Sequence, residues 1–289
     1  MTWRFALKYT GWCLSILSLF LSVTFASTNK IAAVIPDNQT GFFAGLGGSY
    51  NFFRVNSEMS GSLNATSGFV PIGLFSGATG SYSRTKDVFA PEGQLGYFQP
   101  INGGQWLWGI ELLYQYSRAK ITSYNQFQEP GTSINFINPS VNVSDEISIR
   151  SIQTRVNDKL MLPLFIGRSL TNSFIYLGAG PAVFRTKQTV DVSADTISGL
   201  YAGNLNGFSN TKWVWGGVVQ AGIAFYVNPT WFLKFNYSYA ITDHYKANNL
   251  QSFSPEINGG LNGGTVSFST SHRLIAQEVA VSMNKLFSL

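Results

Sequence analysis

The two histidines of the mature sequence, His244 and His272, are the first candidates for chemistry, because a neutral imidazole can act as a general base. Asp243 and Tyr245 flank the first histidine, and Ser271 precedes the second. Hydrolysis by a serine nucleophile requires a histidine and an acid within hydrogen-bond reach of the hydroxyl group. Neither stretch presents that set, so we expect interfacial or loop histidines, no catalytic residue and no enzymatic activity.

Metal and nucleotide sites are not indicated either. No His/Cys cluster has the spacing of a zinc site, and GLGGSY (45–50) lacks the helix that follows a dinucleotide-binding loop. The carboxylates of the polar connections follow no EF-hand pattern: Asp145, Glu146, Asp191 and Asp195. The formal net charge of +5 is too mild to indicate a nucleic-acid partner. We therefore expect no metal and no cofactor.

Five charged residues stand in the middle of apolar, alternating segments: Glu92, Glu111, Lys159, Lys234 and Glu278. If these segments are strands, the five share the small, polar face, which is the lumen face in a barrel. An unpaired buried charge is costly, so carboxylates and ammonium groups at similar heights should pair. For Lys234 the expected partner is Glu111 or Glu92. Two interpretations remain open, a hydrogen-bonded polar plug and a narrow ion pathway.

The segment WFLKFNYSYAIT (231–242) shows the pattern that positions these charges. Apolar and aromatic residues alternate with small or polar ones, which is the period of a strand with two different faces. Phe232 is an exception on the polar face, where we expect it to fill the barrel floor. Eight such runs occur along the chain: 40–53, 86–99, 105–120, 149–168, 172–187, 211–228, 230–246 and 271–289.

The connections between the runs alternate in length. Three are tight: PINGGQ (100–105), SLTN (169–172) and NPT (228–230). Four are long and polar: 54–85, 121–148, 188–210 and 247–270. This alternation is typical of outer-membrane barrels, which have short periplasmic turns and longer outer loops. The sequence predicts an all-β fold, a closed antiparallel eight-stranded up-and-down transmembrane β-barrel with three short periplasmic turns and four long extracellular loops.

The composition favours this fold over a soluble one. Charged residues make up 11% of the chain and aromatic residues 15%, whereas soluble domains average roughly 25% charged residues. Mean hydropathy is only +0.07, which excludes a bundle of apolar helices. A soluble β-sandwich or lipocalin-like barrel is the alternative, but it does not need rows of aromatic side chains on its outer face.

The N-terminus has the features of a secretory signal. Arg4 and Lys8 precede an apolar stretch at 11–25, and small residues follow around Ala26. An uncleaved membrane anchor is the alternative. We expect a cleaved signal peptide at 1–26, a short periplasmic segment at 27–39 and the barrel at 40–289.

Basic residues gather at the strand ends beside the long connections. The predicted belt that faces lipopolysaccharide phosphates contains Arg84, Lys86, Arg118, Lys120, Arg150, Arg185, Lys187, Lys212, Lys246 and Arg273. Arginine and lysine make charge-assisted contacts with phosphates. A simpler explanation is that charged side chains are excluded from the hydrocarbon zone and collect at strand ends for that reason alone.

Two stretches carry a family resemblance. MLPLFIGRSLTNSFIYLGAGPAVF (161–184) resembles the strand–turn–strand segment of the OmpA-type eight-stranded outer-membrane β-barrel family of Gram-negative bacteria. EVAVSMNKLFSL (278–289) resembles the C-terminal strand read by the barrel-assembly machinery, although Leu289 rather than an aromatic residue is last. The resemblance covers about residues 40–289. It implies an integral outer-membrane protein whose partners are membrane lipid, lipopolysaccharide and the assembly machinery.

The resemblance also implies a range of functions. The leading expectation is a non-enzymatic surface protein that supports the envelope and adheres to host or matrix ligands through its loops. A narrow, low-conductance pore is the first alternative, and a lipid A-modifying enzyme is the second. The His-x-Ser-Asn pattern of the lipid A deacylases is missing, because YKAN follows His244 and RLIA follows His272.

Overall fold

The computed structural model describes residues 40–67, 70–78, 81–134, 142–192, 207–253, 256–257 and 260–288. The expected signal peptide and the segment 27–39 lie outside the described residues. Within the described part of the chain, no helix is long and apolar enough to cross a membrane.

Twelve β-strands occur in the described residues. They are β1 (Gly41–Ser67), β2 (Val70–Ala78), β3 (Tyr82–Pro100), β4 (Trp106–Ile134), β5 (Asn142–Met161), β6 (Leu164–Ser169), β7 (Ser173–Val192), β8 (Phe208–Asn228), β9 (Trp231–Thr242), β10 (Tyr245–Phe253), β11 (Glu256–Ile257) and β12 (Gly260–Ser288).

These strands form a closed antiparallel ring. β1 pairs with β3, β3 with β4, β4 with β5 and β6, and β7, β8, β9 and β12 follow in order. The ring closes because β1 pairs with β12 over its whole length, from Gly41 opposite Ser288 to Ser67 opposite Asn262. β5 and β6 form one wall strand interrupted at Pro163, and β10 continues the wall strand of β9. The predicted eight-stranded barrel is confirmed.

The tight connections have the expected turn chemistry. Asn102 and Gly103 have φ angles of 51° and 67°, values that asparagine and glycine adopt most readily. The Ile101 amide donates to the Trp106 carbonyl at 2.7 Å and so closes this turn. In the NPT turn, the Asn228 side chain accepts a hydrogen bond from the Thr230 amide at 2.9 Å.

The outer connections are largely strand, which corrects the predicted extent of the long loops. β1 continues to Ser67 and β12 begins at Gly260, so much of 54–85 and 247–270 is paired. The alternation weakens there because polar residues fit both faces once a strand has left the membrane. About 9–11 tilted residues cross the hydrocarbon core, so the 29 residues of β12 project well beyond it on the long-connection side.

The outer wall is apolar. In β9, Trp231 is 38% exposed whereas Phe232 is fully buried, so the aromatic row faces outward as it would toward lipid. The apolar band on β9 runs from Trp231, which is opposite Lys285, to Ile241, which is opposite Ile275. Residues of β12 that precede Ile275 therefore lie beyond the band, on the outer side.

Candidate functional site

The polar face of the strands encloses a buried charged layer in the lumen. Lys234 of β9 and Glu111 of β4 form an ion pair, and each is almost fully buried. The Lys234 ammonium also donates to Gln94 Oε1 at 3.1 Å, and Gln220 donates to Glu111 Oε1 at 2.5 Å. Of the two partners expected for Lys234, the structure places Glu111 against it.

A second ion pair lies in the same layer. Lys159 of β5 pairs with Glu278 of β12, and both side chains are completely buried. Lys159 also donates to Asn51 Oδ1 at 3.1 Å. A bulge between Val156 and Asp158 in the pairing of β5 with β7 is what turns Lys159 inward. The two ion pairs and their hydrogen bonds thus involve β1, β3, β4, β5, β8, β9 and β12.

Glu92 differs from the other two carboxylates of this layer because it forms no ion pair among the described residues. It is 4% exposed. The Gln115 amide nitrogen donates to Glu92 Oε2 at 2.5 Å and to Glu278 Oε2 at 2.8 Å. Three carboxyl groups therefore share the layer with two ammonium groups.

An aromatic cluster lies in the lumen beside the short turns. Phe232 packs edge to face against Phe43, with ring centroids 5.5 Å apart, and Phe98 contacts Phe174 at 5.4 Å. We call this cluster the aromatic floor, and its buried members are Phe43, Phe98, Leu107, Phe165, Phe174, Tyr176, Ala224, Phe232 and Leu286. Aromatic side chains bury large areas, so the floor fills the lumen at this level.

A second apolar cluster, the apolar cap, lies mainly on the outer side of the charged layer, although its members Leu113 and Met161 lie at the level of that layer. On β1 the order from the short turns outward is Phe43, Asn51, Phe53, which steps from floor to charged layer to cap. The buried members of the cap are Phe53, Val55, Leu113, Ala119, Ile121, Val156, Met161, Ala182, Phe184, Val218, Ala240, Leu274 and Ala276. The charged layer is therefore enclosed between two apolar layers.

His272 anchors a further polar cluster beyond the cap. Its Nδ1 lies 2.7 Å from Ser57 Oγ, and its Nε2 lies 2.6 Å from the side-chain amide of Gln188. Thr270 completes the cluster by a 3.1 Å hydrogen bond to Gln188 Oε1. Burial lowers the pKa of His272 to about 4, so the imidazole is neutral at pH 7. A serine and a histidine thus meet, but the third partner is an amide rather than a carboxylate.

The other histidine does not join this cluster. His244 is exposed, between Asp243 and Tyr245 at the junction of β9 and β10, whereas His272 is 1% exposed. Both members of the serine–histidine pair are buried, with Ser57 at 4% and His272 at 1% exposed. Sequence spacing could not foresee this pair, since Ser57 and His272 are brought together only by the pairing of β1 with β12.

The predicted belt residues occupy two kinds of position. Those on the outward face are Arg118, Lys120, Arg185, Lys187, Lys246 and Arg273. Arg84, Lys86 and Lys212 lie on inward-facing positions at the rim, contrary to an all-outward belt, because they are paired with the inward residues Val55, Phe53 and Thr186. Lys212 donates to the Lys246 carbonyl at 2.6 Å. Arg150 lies in β5, and its side chain is outside the described ones.

Three basic residues form a row on the outer wall. Lys120 is directly opposite Arg155, and Arg155 is directly opposite Lys187. Like charges at directly opposed positions repel one another. Asp158, the neighbouring carboxylate, is engaged by the Tyr114 hydroxyl at 2.7 Å and by Arg185 at 3.6 Å. The row therefore has no partner carboxylate among the described side chains.

Amide side chains were the functional residues that the sequence analysis did not single out. Gln94, Gln115, Gln220 and Asn51 are all buried, and each forms a hydrogen bond with a member of one of the two ion pairs. Their signal was available, because each stands on the polar face of its run, two or four residues from a charged or small residue. A polar side chain at an inward position, whether charged or neutral, is therefore the sequence signal for a member of this hydrogen-bond network.

Comparison with known protein families identifies the family of this chain. Residues 18–253 match the model of the outer membrane protein beta-barrel domain. None of the curated proteins matches the chain. Among solved structures, the chain is 13% identical to Neisserial surface protein A, covering 81% of this chain and 97% of that one, with a TM-score of 0.32.

Two further solved structures are similar to the chain at comparably low sequence identity. The protein OprG of Pseudomonas aeruginosa is 13% identical over 87% of this chain and 98% of its own, with a TM-score of 0.33. The attachment invasion locus protein Ail of Yersinia pestis is 11% identical over 76% of this chain and 97% of its own, with a TM-score of 0.26. The family match covers most of the sequence and agrees with the closed ring of strands. The chain belongs to the family of integral outer-membrane proteins that share this β-barrel domain.

Proposed function

We propose that the protein is a non-enzymatic surface protein of the outer membrane, a sealed barrel that supports the envelope and presents its outer hairpins for adhesion. The observation that carries this proposal is the enclosure of the charged layer between the aromatic floor and the apolar cap. An ion crossing the lumen would have to lose its hydration shell in both apolar layers, which is costly. The arrangement supports a plug rather than a pore.

The outer hairpins support the second half of the proposal. β1 and β12 remain paired from Glu58 to Ser67, and β10 pairs with β12 from Tyr245 to Phe253, both beyond the apolar band. Loops and hairpins held by a rigid scaffold are where binding residues concentrate. We infer that these hairpins carry the contacts with a host or matrix ligand.

The envelope partners follow from the outer wall. We infer that the outward basic residues contact the phosphates of lipopolysaccharide, since arginine and lysine beside a phosphate-rich surface gain charge-assisted hydrogen bonds. The C-terminal strand alternates exposed Val279, Val281, Met283 and Phe287 with buried residues that are small or polar apart from Leu286. This pattern supports the expected recognition of β12 by the barrel-assembly machinery.

Replacement of the outer hairpins tests the adhesive role. Each hairpin is cut back to the rim and closed with a two-residue turn, and binding of cells that display the barrel is measured on matrix-coated surfaces. Loss of binding with at least one replacement, with heat-modifiable gel mobility retained, is the expected result. If cells that carry all four replacements bind the matrix as well as wild-type cells do, the adhesive role is contradicted.

Lipid A composition tests the absence of enzymatic activity. Mass spectra of lipid A from cells with and without the protein are expected to be the same. A new lipid A species that disappears in a Ser57→Ala variant would instead identify the buried Ser57–His272 pair as a catalytic site.

A further inference from the structure

The barrel wall is split on its outer side between β3 and β4. The two strands pair from Pro100 opposite Leu107 to Glu92 opposite Gln115. Beyond that point residues 82–91 of β3 pair only with β1, and β4 pairs with β5 and, at its outer end, with β2. We call the space bounded by residues 82–91 and 116–124 the side cleft.

Two local features explain why the pairing stops there. Pro91, next to the last paired residue, has no amide proton to give to a ladder. On the facing strand, Arg118 has a φ angle of 50° and lies in a bulge between Tyr116 and Ala119. A bulge bends its strand and interrupts the ladder. The split is thus built into both edges.

The exposure of side chains shows that the β3 edge of the cleft is open. Lys86 is opposite Phe53 and Arg84 is opposite Val55, so all four occupy the inward face at matching heights. Phe53 and Val55 are 0% and 3% exposed, whereas Lys86 and Arg84 are exposed. Each of the two basic residues has a paired neighbour on β1 and none on β4, so its β4 side is open.

Four cations stand on the two edges: Arg84 and Lys86 at exposed, inward-facing positions of β3, and Arg118 and Lys120 at outward-facing positions of β4. None of the ion pairs among the described residues includes any of them. The carboxylate on the β3 edge, Asp87, points outward and accepts a 2.5 Å hydrogen bond from the Tyr50 hydroxyl.

The Arg118 guanidinium is 5.0 Å from the centre of the Tyr116 ring, and this contact holds the guanidinium at the cleft edge. A planar guanidinium can make two parallel hydrogen bonds to phosphate oxygens.

The height of the cleft identifies the source of the anion. Lys86 precedes Pro100, at the short-turn end of β3, by about 14 residues, which exceeds the 9–11 residues that cross the hydrocarbon core. The cleft therefore opens at the level of the outer-leaflet headgroups. We propose that the side cleft binds the phosphate groups of an outer-leaflet lipid, with basic residues of β3 and β4 on either side. This inference rests on the proposed contact with lipopolysaccharide and assigns it to one place in the wall.

Paired substitutions test the assignment. The β3 edge is neutralised by Arg84→Gln with Lys86→Gln, and the β4 edge by Arg118→Asn with Lys120→Gln, because asparagine tolerates the positive φ angle. The matched control is Lys187→Gln with Lys246→Gln, which removes two outward cations from β7 and β10, strands that do not border the cleft. Binding of bisphosphorylated lipid A to the purified barrel is measured by native mass spectrometry, and heat-modifiable mobility verifies folding.

We expect each edge pair to lower the bound fraction at least tenfold, and the control to change it less than threefold. Equal losses of lipid A binding in all three variants would overturn the side cleft as the binding site and leave a diffuse basic belt. No loss of binding in any variant would overturn the belt as well. Equal binding of dephosphorylated lipid A would contradict phosphate recognition. Binding of inorganic pyrophosphate as tight as that of lipid A would identify a soluble phosphate rather than a lipid as the ligand.

Discussion

Glu92 differs from the other two carboxyl groups of the lumen because no lysine contacts it. Glu111 and Glu278 each pair with an ammonium group, whereas Glu92 accepts a hydrogen bond only from Gln115 among the described residues. Removing one partner of a buried ion pair leaves an uncompensated charge, which costs far more than removing a charge that has no partner.

Amide substitutions should therefore separate the three residues. We expect Glu111→Gln and Glu278→Gln each to lower the free energy of unfolding by about 3 kcal/mol. Glu92→Gln should leave it unchanged or raise it, because the amide oxygen still accepts from Gln115. Urea unfolding in lipid vesicles, followed by tryptophan fluorescence, measures all three. A loss for Glu92→Gln as large as for the other two would show that the Glu92 charge is stabilising.

His272 gives the barrel a pH dependence of its own. It lies beyond the apolar band, and burial holds its pKa at about 4, below the usual value of 6.5. Above pH 6.5 the imidazole is neutral in both states, so the stability is complete. As the pH falls from 6.5 to about 4, the unfolded chain binds a proton that the folded barrel does not, and stability decreases by about 3 kcal/mol.

The same unfolding assay at pH 7.5 and pH 4.5 measures this decrease. His272→Asn, which keeps a neutral polar group beside Ser57 and Gln188, should remove most of it. His244→Asn is the matched control and should not, since that ring is exposed. An equal pH dependence in wild type and His272→Asn would contradict the assignment.

Among the strands, the bulge of β4 is the feature with the clearest backbone cost. Arg118 has a left-handed conformation, which a β-branched residue adopts only at a cost of about 1–2 kcal/mol. We expect Arg118→Val to be less stable than Arg118→Asn by about that amount. Both variants lose the same charge, so their difference in urea midpoint reports the backbone alone. Equal midpoints would mean that the bulge relaxes to an extended conformation.

The strands show which parts of the fold could be predicted from sequence. Alternation identified the inward and outward faces of β9, including the buried Phe232, because each residue of a wall strand faces either lipid or lumen. Alternation could not fix register, so it left two candidate partners for Lys234. It placed Lys159 on the lumen face, where the side chain is buried. It could not foresee the bulges in β4 and β5, where one inserted residue changes the face of those that follow.

Hairpin length was the least predictable feature. Inside the membrane an alternating face is required, but outside it polar side chains can occupy either face of a strand. The segments 54–85 and 247–270 therefore resemble loops in sequence, although backbone pairing continues through much of them. The rim positions of Arg84, Lys86 and Lys212 were misjudged for the same reason, because nothing in the local pattern shows which face a basic residue at a strand end takes.

In the whole molecule, the lumen is a stack of layers. The aromatic floor, the charged layer, the apolar cap and the His272 cluster succeed one another from the short turns outward. Each polar layer is satisfied mainly by its own hydrogen bonds, and each apolar layer separates it from water on one side. This order, rather than the presence of charges in the lumen, is what distinguishes a plug from a conducting path.

Conductance of single barrels in planar lipid bilayers tests the sealed lumen most directly. The wild-type barrel and Lys234→Ala should both give no steady single-channel current, because the aromatic floor and apolar cap remain intact in each. A variant that opens both layers, Phe232→Ala with Phe53→Ala, is the positive control for current. Steady wild-type current that is lost in Lys234→Ala would contradict the seal and establish a pore lined by the charged layer.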